Sequence, residues 1–246
     1  MAYKALKLST EGAVTTLCLD EPASHNALDW ALLMEIRNAV IEASSRPHTR
    51  AMIIKSSGRA FSIGAHLPSL AELNPQIARE FALAGHMAVQ AIEAAPFATI
   101  AAVNGLAIGG GWEIALACDL IYASEGAIFS FPEVDLGLFP AFGGTWRLTD
   151  LVGPMRAREL VFTGMRIGAK RAKELNLVLD VLPSADLEAH CLAIATKIAS
   201  KPGAGVDHAK RTIARQVRGF QPDPDDLDGG SFARCDFDFA ALERRR

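Results

Sequence analysis

A chain of 246 residues, half of them hydrophobic and 22% charged, has the make-up of a globular protein able to bury a sizeable core. Its formal net charge of −3 leaves no surplus of Lys and Arg to neutralise phosphates, which excludes a nucleic-acid binder working through its backbone. Four scattered cysteines, Cys18, Cys118, Cys191 and Cys235, include no Cys-x-x-Cys pair. Neither a disulfide scaffold nor a zinc site is supported, and a cytoplasmic location is expected.

Met1-Ala2-Tyr3-Lys4 leads straight into a strand-like segment, without the pattern of a secretory leader. Tyr3 to Ser9 and Val14 to Asp20 read as a hairpin turned near Glu11-Gly12. After the loop from Asp20 to Asn26, Asp29 is a plausible N-cap for a helix with Leu32, Leu33, Ile36 and Val40 on one face. Ala51 to Ser56 is a buried-type strand, and Ala60 to Ala65 an extended segment that ends in a small-residue turn. A long helix is expected from about Gln76 to Ala95, stopped before Pro96.

Ala98 to Val103 reads as a fully buried strand, followed by Asn104-Gly105 and the run Gly109-Gly110-Gly111. A helix is expected from Glu113 through Ala117 and beyond. The stretch from Ala94 to Trp112 carries no charge, but Pro96, Asn104, four glycines and flanking glutamates make it a strand and turn rather than a membrane span. Leu120 to Ala123 and Ile128 to Phe131 are further strands, the second broken by Pro132-Glu133. Gly143-Gly144-Thr145 opens a helix, Pro154 starts another, and Leu177 to Leu182 is the last strand-like run. Leu187 to Ser200 and Gly205 to Arg218 read as helices. An acidic linker from Gln221 to Gly230 follows, then an amphipathic segment from Phe232 to Arg244 and a basic solvated tail. The expected organisation is an α/β core over 1–183 and a helical region over 184–246.

Three small-residue turns follow buried strands: Gly64-Ala65, Gly109 to Gly111, and Gly143-Gly144. Two of them could aim backbone N–H groups at one oxygen, an arrangement that stabilises an oxyanion. The triple glycine fits no nucleotide-phosphate fingerprint, there is no Gly-x-Ser-x-Gly elbow, and the histidines lack metal-binding spacing. Glu113 and Glu133 are carboxylates in apolar surroundings, each of which alone could be a first-turn or strand-end residue. Trp112, Phe139 and Phe142 could line an apolar slot or pack in the core, and His66 could border a pocket or be structural.

Taken together, Arg59 to Ala65, Ala101 to Asp119, and Phe131 to Pro140 running into Gly143-Gly144-Thr145 resemble the crotonase (enoyl-CoA hydratase/isomerase) superfamily over nearly the whole chain, with Asn26-Ala27-Leu28 included. The resemblance implies a crotonase-like spiral of β-β-α units with a helical C-terminal trimerisation region. It implies a homo-trimer or dimer of trimers that acts on acyl-CoA thioesters, without metal or redox cofactor, coenzyme A being part of the substrate. By position it places the oxyanion donors on Ala65 and Gly110, and a water between Glu113, which activates it, and Glu133, which protonates C2. Ala23, Ser24, His25, Ser62, Gly64, His66, Trp112 and Phe139 are the expected substrate contacts. The sequence departs from its relatives at Glu21 and Ala23, where basic residues often meet CoA phosphates, at His66, where Asp is common, and in a shortened last helix. Both glutamates being present favours the hydratase over a double-bond isomerase, another acyl-CoA lyase, or a non-catalytic binding relative.

Overall fold

Side chains alternate across a strand, so a strand buried on both faces needs apolar residues at every position. The segments 51–54 and 98–103, apolar but for Thr99, come near that requirement, and the computed structural model, which describes residues 3–66, 68 and 74–217, places the strands they form in the middle of a six-stranded sheet. The elements run β1 (Leu6–Glu11), β2 (Val14–Leu19), α1 (Trp30–Ser45), β3 (Ala51–Ser56), β4 (Ala60–Ser62), α2 (Pro75–Ala94) and β5 (Ala98–Val103). They continue with β6 (Leu106–Ile108), α3 (Gly110–Leu116), β7 (Leu120–Ser124), β8 (Ile128–Ser130) and a 3-10 turn, Pro132–Leu136. Then come α4 (Gly144–Thr163), β9 (Ile167–Gly168), α5 (Ala169–Glu174), β10 (Asp180–Leu182), α6 (Leu187–Ala199) and α7 (Gly203–Val217). The expected linker 221–230 and the aromatic segment 232–244 lie outside the described residues.

The large sheet has the order β1-β2-β3-β5-β7-β10 and is parallel except for the β1–β2 hairpin. Met52, Ile54, Ala101 and Val103 face the main core, to which α1 and α2 contribute Leu33, Ile36, Val89 and Ile92. Ala51, Ile53, Ile100 and Ala102 point the other way, onto Leu187, Cys191 and Ala195 of α6. A smaller sheet, β4-β6-β8-β9, runs beside it. Each of the pairs β3–β4, β5–β6 and β7–β8 sends its first strand to the large sheet and its second to the small one. The turns that follow β4 and β6 therefore emerge on neighbouring strands of the small sheet.

Most expected elements are found, with shifts that have physical causes. Asp29 caps α1 by accepting from Leu32 N at 2.7 Å, and Asn74 caps α2, whose first residue is Pro75. Within α4 the backbone breaks at Gly153 (φ +75°, ψ 162°), and Pro154 opens the second half. The helix expected from Glu113 onward instead starts at Gly110 and ends at Leu116, because two of the three glycines form its first turn. Leu106 to Ile108, expected to be part of a turn, pairs with both β4 and β8. The last strand is only Asp180–Leu182. Leu177 and Val178 are buried but lie ahead of the ladder, after a chain reversal at Asn176 (φ +59°).

Among the described residues no helix is long and apolar enough to cross a membrane. The final described helix, α7, is tied to the core by Lys210. Its Nζ lies 2.9 Å from Asp119 Oδ2 and donates to the carbonyls of Phe97 at 3.1 Å and Ile92 at 3.3 Å. Replacing Lys210 by Met leaves these acceptors short of a donor, at a cost of about 1–2 kcal/mol. The lower end is favoured because Asp119 keeps its bonds from Thr99. Urea unfolding should show this loss as a lower midpoint with an unchanged slope.

Candidate active site

Gly64 and Ala65 turn the chain after β4, and Gly109 and Gly110 turn it after β6; all four border one cavity of about 80 Å³. The approach of the two turns is close. A Cβ on Gly64 would stand 2.6 Å from the Ile108 carbonyl and 3.2 Å from Gly110 N, and the backbone there has φ +79°. Gly111 packs its Cα on β4, where a Cβ would meet Ser62 O at 2.4 Å. The triple glycine thus lets α3 begin in contact with the neighbouring strand.

The N–H groups at these turns are left over by the secondary structure around them. The parallel bridge between Leu28 and Ala65 uses Gly64 O and His66 N, so the Ala65 N–H takes no part in it. Gly110 is the first residue of α3, where an amide has no acceptor within its helix. Gly109 N, by contrast, is spent on Ser130 O at 2.9 Å. Ala65 and Gly110, whose amides find no acceptor among the described residues, therefore belong to one cavity wall.

Glu113 and Glu133 border the same cavity, but in unequal circumstances. Glu113 is 1% exposed, and its Oε1 accepts from Gly144 N at 2.7 Å and Phe142 N at 2.8 Å. The third small-residue turn therefore holds a carboxylate rather than an oxyanion. Glu133 comes from the 3-10 turn after β8 and is half-buried as a residue, yet its Oε2 is shut off from solvent with no hydrogen-bond partner among the described residues. Burial in apolar surroundings, and secondly the negative charge of Glu113, hold its carboxyl well above the usual carboxylate range. Both causes favour the protonated form of Glu133 over its carboxylate.

The remaining wall is apolar. Phe139 and Phe142 line it, together with Phe81 of α2, whose ring centroid is 5.5 Å from that of Phe142. Trp112 does not line it. Adjacent helical residues point about 100° apart, and with Glu113 facing the cavity, Trp112 turns into the core, stacked 4.4 Å from Phe131. Ser62 is likewise buried outside the lining, its hydroxyl donating to Asn26 O at 2.7 Å and accepting from Gly64 N at 3.2 Å. Ala23, Ser24 and His25 form a solvent-facing turn beside the site, joined to it by Ile63 N on His25 O at 3.3 Å. His66 is half-buried and is not part of the lining of this cavity. Asn26 anchors that turn from within: fully buried, it accepts from Glu21 N and donates to the carbonyls of Ser57 and Ala60.

The family model for enoyl-CoA hydratase/isomerase matches residues 9–232, and the chain belongs to that family. A crotonyl-CoA hydratase of Syntrophomonas wolfei is 37% identical over 239 residues, 96% of this chain and 91% of that protein. A short-chain-enoyl-CoA hydratase of Clostridium acetobutylicum is 36% identical over 86% of this chain and 81% of its own length. Among solved structures, an enoyl-CoA hydratase from Bacillus anthracis superposes with a TM-score of 0.85 at 34% identity, covering 98% of this chain and 90% of that one. The spiral α/β fold is that of this family.

The raised Glu133 carboxyl makes stability depend on pH with a definite sign. A carboxyl with a folded value above its ordinary 4.5 contributes fully below that value and loses the contribution as pH rises through the folded one. Glu133→Gln removes the titration. Its stability relative to wild type should therefore be constant below about pH 4.5 and increase steadily above it, read by urea unfolding across a pH series. A difference that does not change with pH would mean that Glu133 ionises normally in the folded protein.

Proposed function

We propose that the protein is an enoyl-CoA hydratase, adding water reversibly to a 2-enoyl-CoA thioester to give the 3-hydroxyacyl-CoA. The observation that carries this reading is that Glu113 and Glu133 share one apolar cavity in which Glu113 Oε1 accepts from two backbone N–H groups, while Glu133 Oε2 is buried with no hydrogen-bond partner among the described residues. Hydration needs a base for the water and an acid for C2 of the substrate. Glu113, with two N–H groups on one oxygen, is suited to stay anionic and to take a proton from water as its oxygen attacks C3. Glu133, whose carboxyl its surroundings hold well above the usual carboxylate range, is suited to give its proton to C2. One proton passing from Glu113 back to Glu133 then restores the pair.

Between these proton transfers the thioester oxygen gains negative charge. The N–H groups of Ala65 and Gly110 are the donors we assign to it. One such preorganised donor is commonly worth a factor of about 10²–10³ in turnover. The hydratase names of the Syntrophomonas and Clostridium relatives support the same reading. The chemistry asks for no metal or redox cofactor, and coenzyme A enters with the substrate. We further infer a homo-trimer or dimer of trimers acting in the cytoplasm. Met155 and Phe162, seven residues apart on one face of α4 and 84% and 70% exposed, are apolar surface of the kind that assembly covers.

Turnover of a 2-enoyl-CoA in H₂¹⁸O tests the proposal. Label is expected at C3 of the 3-hydroxyacyl product. Glu113→Gln and Glu133→Gln should each lower kcat by at least about 10²-fold, with the double variant little worse than either. Rapid conversion of a 3-enoyl to a 2-enoyl thioester without label, unaffected by Glu113→Gln, would assign the site to isomerisation instead.

A further inference from the structure

Glu113 is held by a turn, and that turn is itself held from behind. Phe142 N and Gly144 N face Glu113 Oε1, while the Phe142 carbonyl accepts from Arg147 Nη1 at 2.7 Å. The backbone of Arg147 also grips the turn, its N donating to Gly143 O at 3.2 Å. The guanidinium lies so close that a Cβ on Gly143 would stand 2.4 Å from Nη1, and Gly143 has φ +98°. Arg147 is 5% exposed, and its Nε donates to Glu93 Oε1 at 2.8 Å. Its guanidinium carbon sits 4.0 Å from the centre of the Trp146 ring. Glu93 belongs to the last turn of α2 and Arg147 to the first turn of α4, so the ion pair joins two helices across the base of the turn.

We propose that Arg147, braced by Glu93, is a positioning residue for Glu113: it fixes the Phe142–Gly144 turn so that two amide donors orient the reacting carboxylate. This rests on the reading of Glu113 as the base that activates water. Arginine suits the task because its planar fork bonds Glu93 through Nε and the Phe142 carbonyl through Nη1 at once, whereas a lysine ammonium has no such fixed spread. A buried ion pair is weak evidence of net stabilisation in itself. Here its geometric consequence is definite, since releasing the Phe142 carbonyl loosens both amides that meet Glu113. A displacement of the order of 1 Å at a reacting group can cost about 10²-fold in rate.

The test measures kcat and KM for a 2-enoyl-CoA in wild type, Arg147→Met, Glu93→Gln, Glu113→Gln and the Glu113→Gln/Arg147→Met double variant. Arg147→Met should lower kcat by about 10–100-fold with KM within about twofold, and Glu93→Gln, which keeps an acceptor for Nε, should lose less. Because Arg147 acts through Glu113, the double variant should be no slower than Glu113→Gln alone. Wild-type kcat in a folded Arg147→Met, or losses that multiply in the double variant, would overturn the positioning role. If Arg147→Met does not fold, Glu93→Gln and its combination with Glu113→Gln carry the same comparison, and an unchanged kcat or multiplying losses there overturn it equally. Near-wild-type turnover by Glu113→Gln would instead refute the assignment of the base, an outcome separate from either.

Discussion

Two carboxyl groups line one small apolar cavity, and their surroundings treat them unequally. Glu113 has the amides of Phe142 and Gly144 on a single oxygen, whereas Glu133 Oε2 is sealed from solvent with no hydrogen-bond partner among the described residues. In the proposed reaction this asymmetry assigns Glu113 the part of base and Glu133 that of acid. The raised Glu133 carboxyl has a cost to the fold, because it ionises less readily there than in the unfolded chain.

The rest of the site is delivered by backbone, and the paired-strand architecture explains how. Each β-β unit crosses from the large sheet to the small one, so the turns after β4 and β6 are neighbours although about 45 residues separate them in sequence. Glycine is needed there for contact as much as for conformation: Gly64 rests on Ile108 O and Gly111 on Ser62 O. Because the donors we propose are amides, the neighbouring side chains are free to shape the cavity. Phe142 serves both purposes, its ring forming wall and its N–H holding Glu113.

What could be read in the sequence is what local chemistry writes there. Ala98 to Val103 announces itself as an uncharged apolar run, and Asp29 and Pro154 mark helix boundaries by residue type. Glu113 and Glu133 stand out only beside glycine turns and in a combination that resembles one superfamily. Trp112 was equally readable as wall or core, and only the start of α3 at Gly110 settles which side it faces. Phe81 and the Glu93–Arg147 pair carry no local signal. Their meaning comes from contacts over long separations, 54 residues for the ion pair, that appear only once α2 and α4 are packed. Ser62 and Asn26 belong to the same class, polar residues whose work is to pin a turn from inside the core.

Protonation of Glu133 in the folded protein is the claim on which the proposed chemistry turns. An infrared difference spectrum between wild type and Glu133→Gln at neutral pH addresses it directly. The expected result is loss, in the variant, of a carbonyl band belonging to a protonated carboxylic acid in an apolar setting. Loss of carboxylate bands instead, with no protonated-acid band in the wild type, would show that Glu133 is ionised and contradict the account.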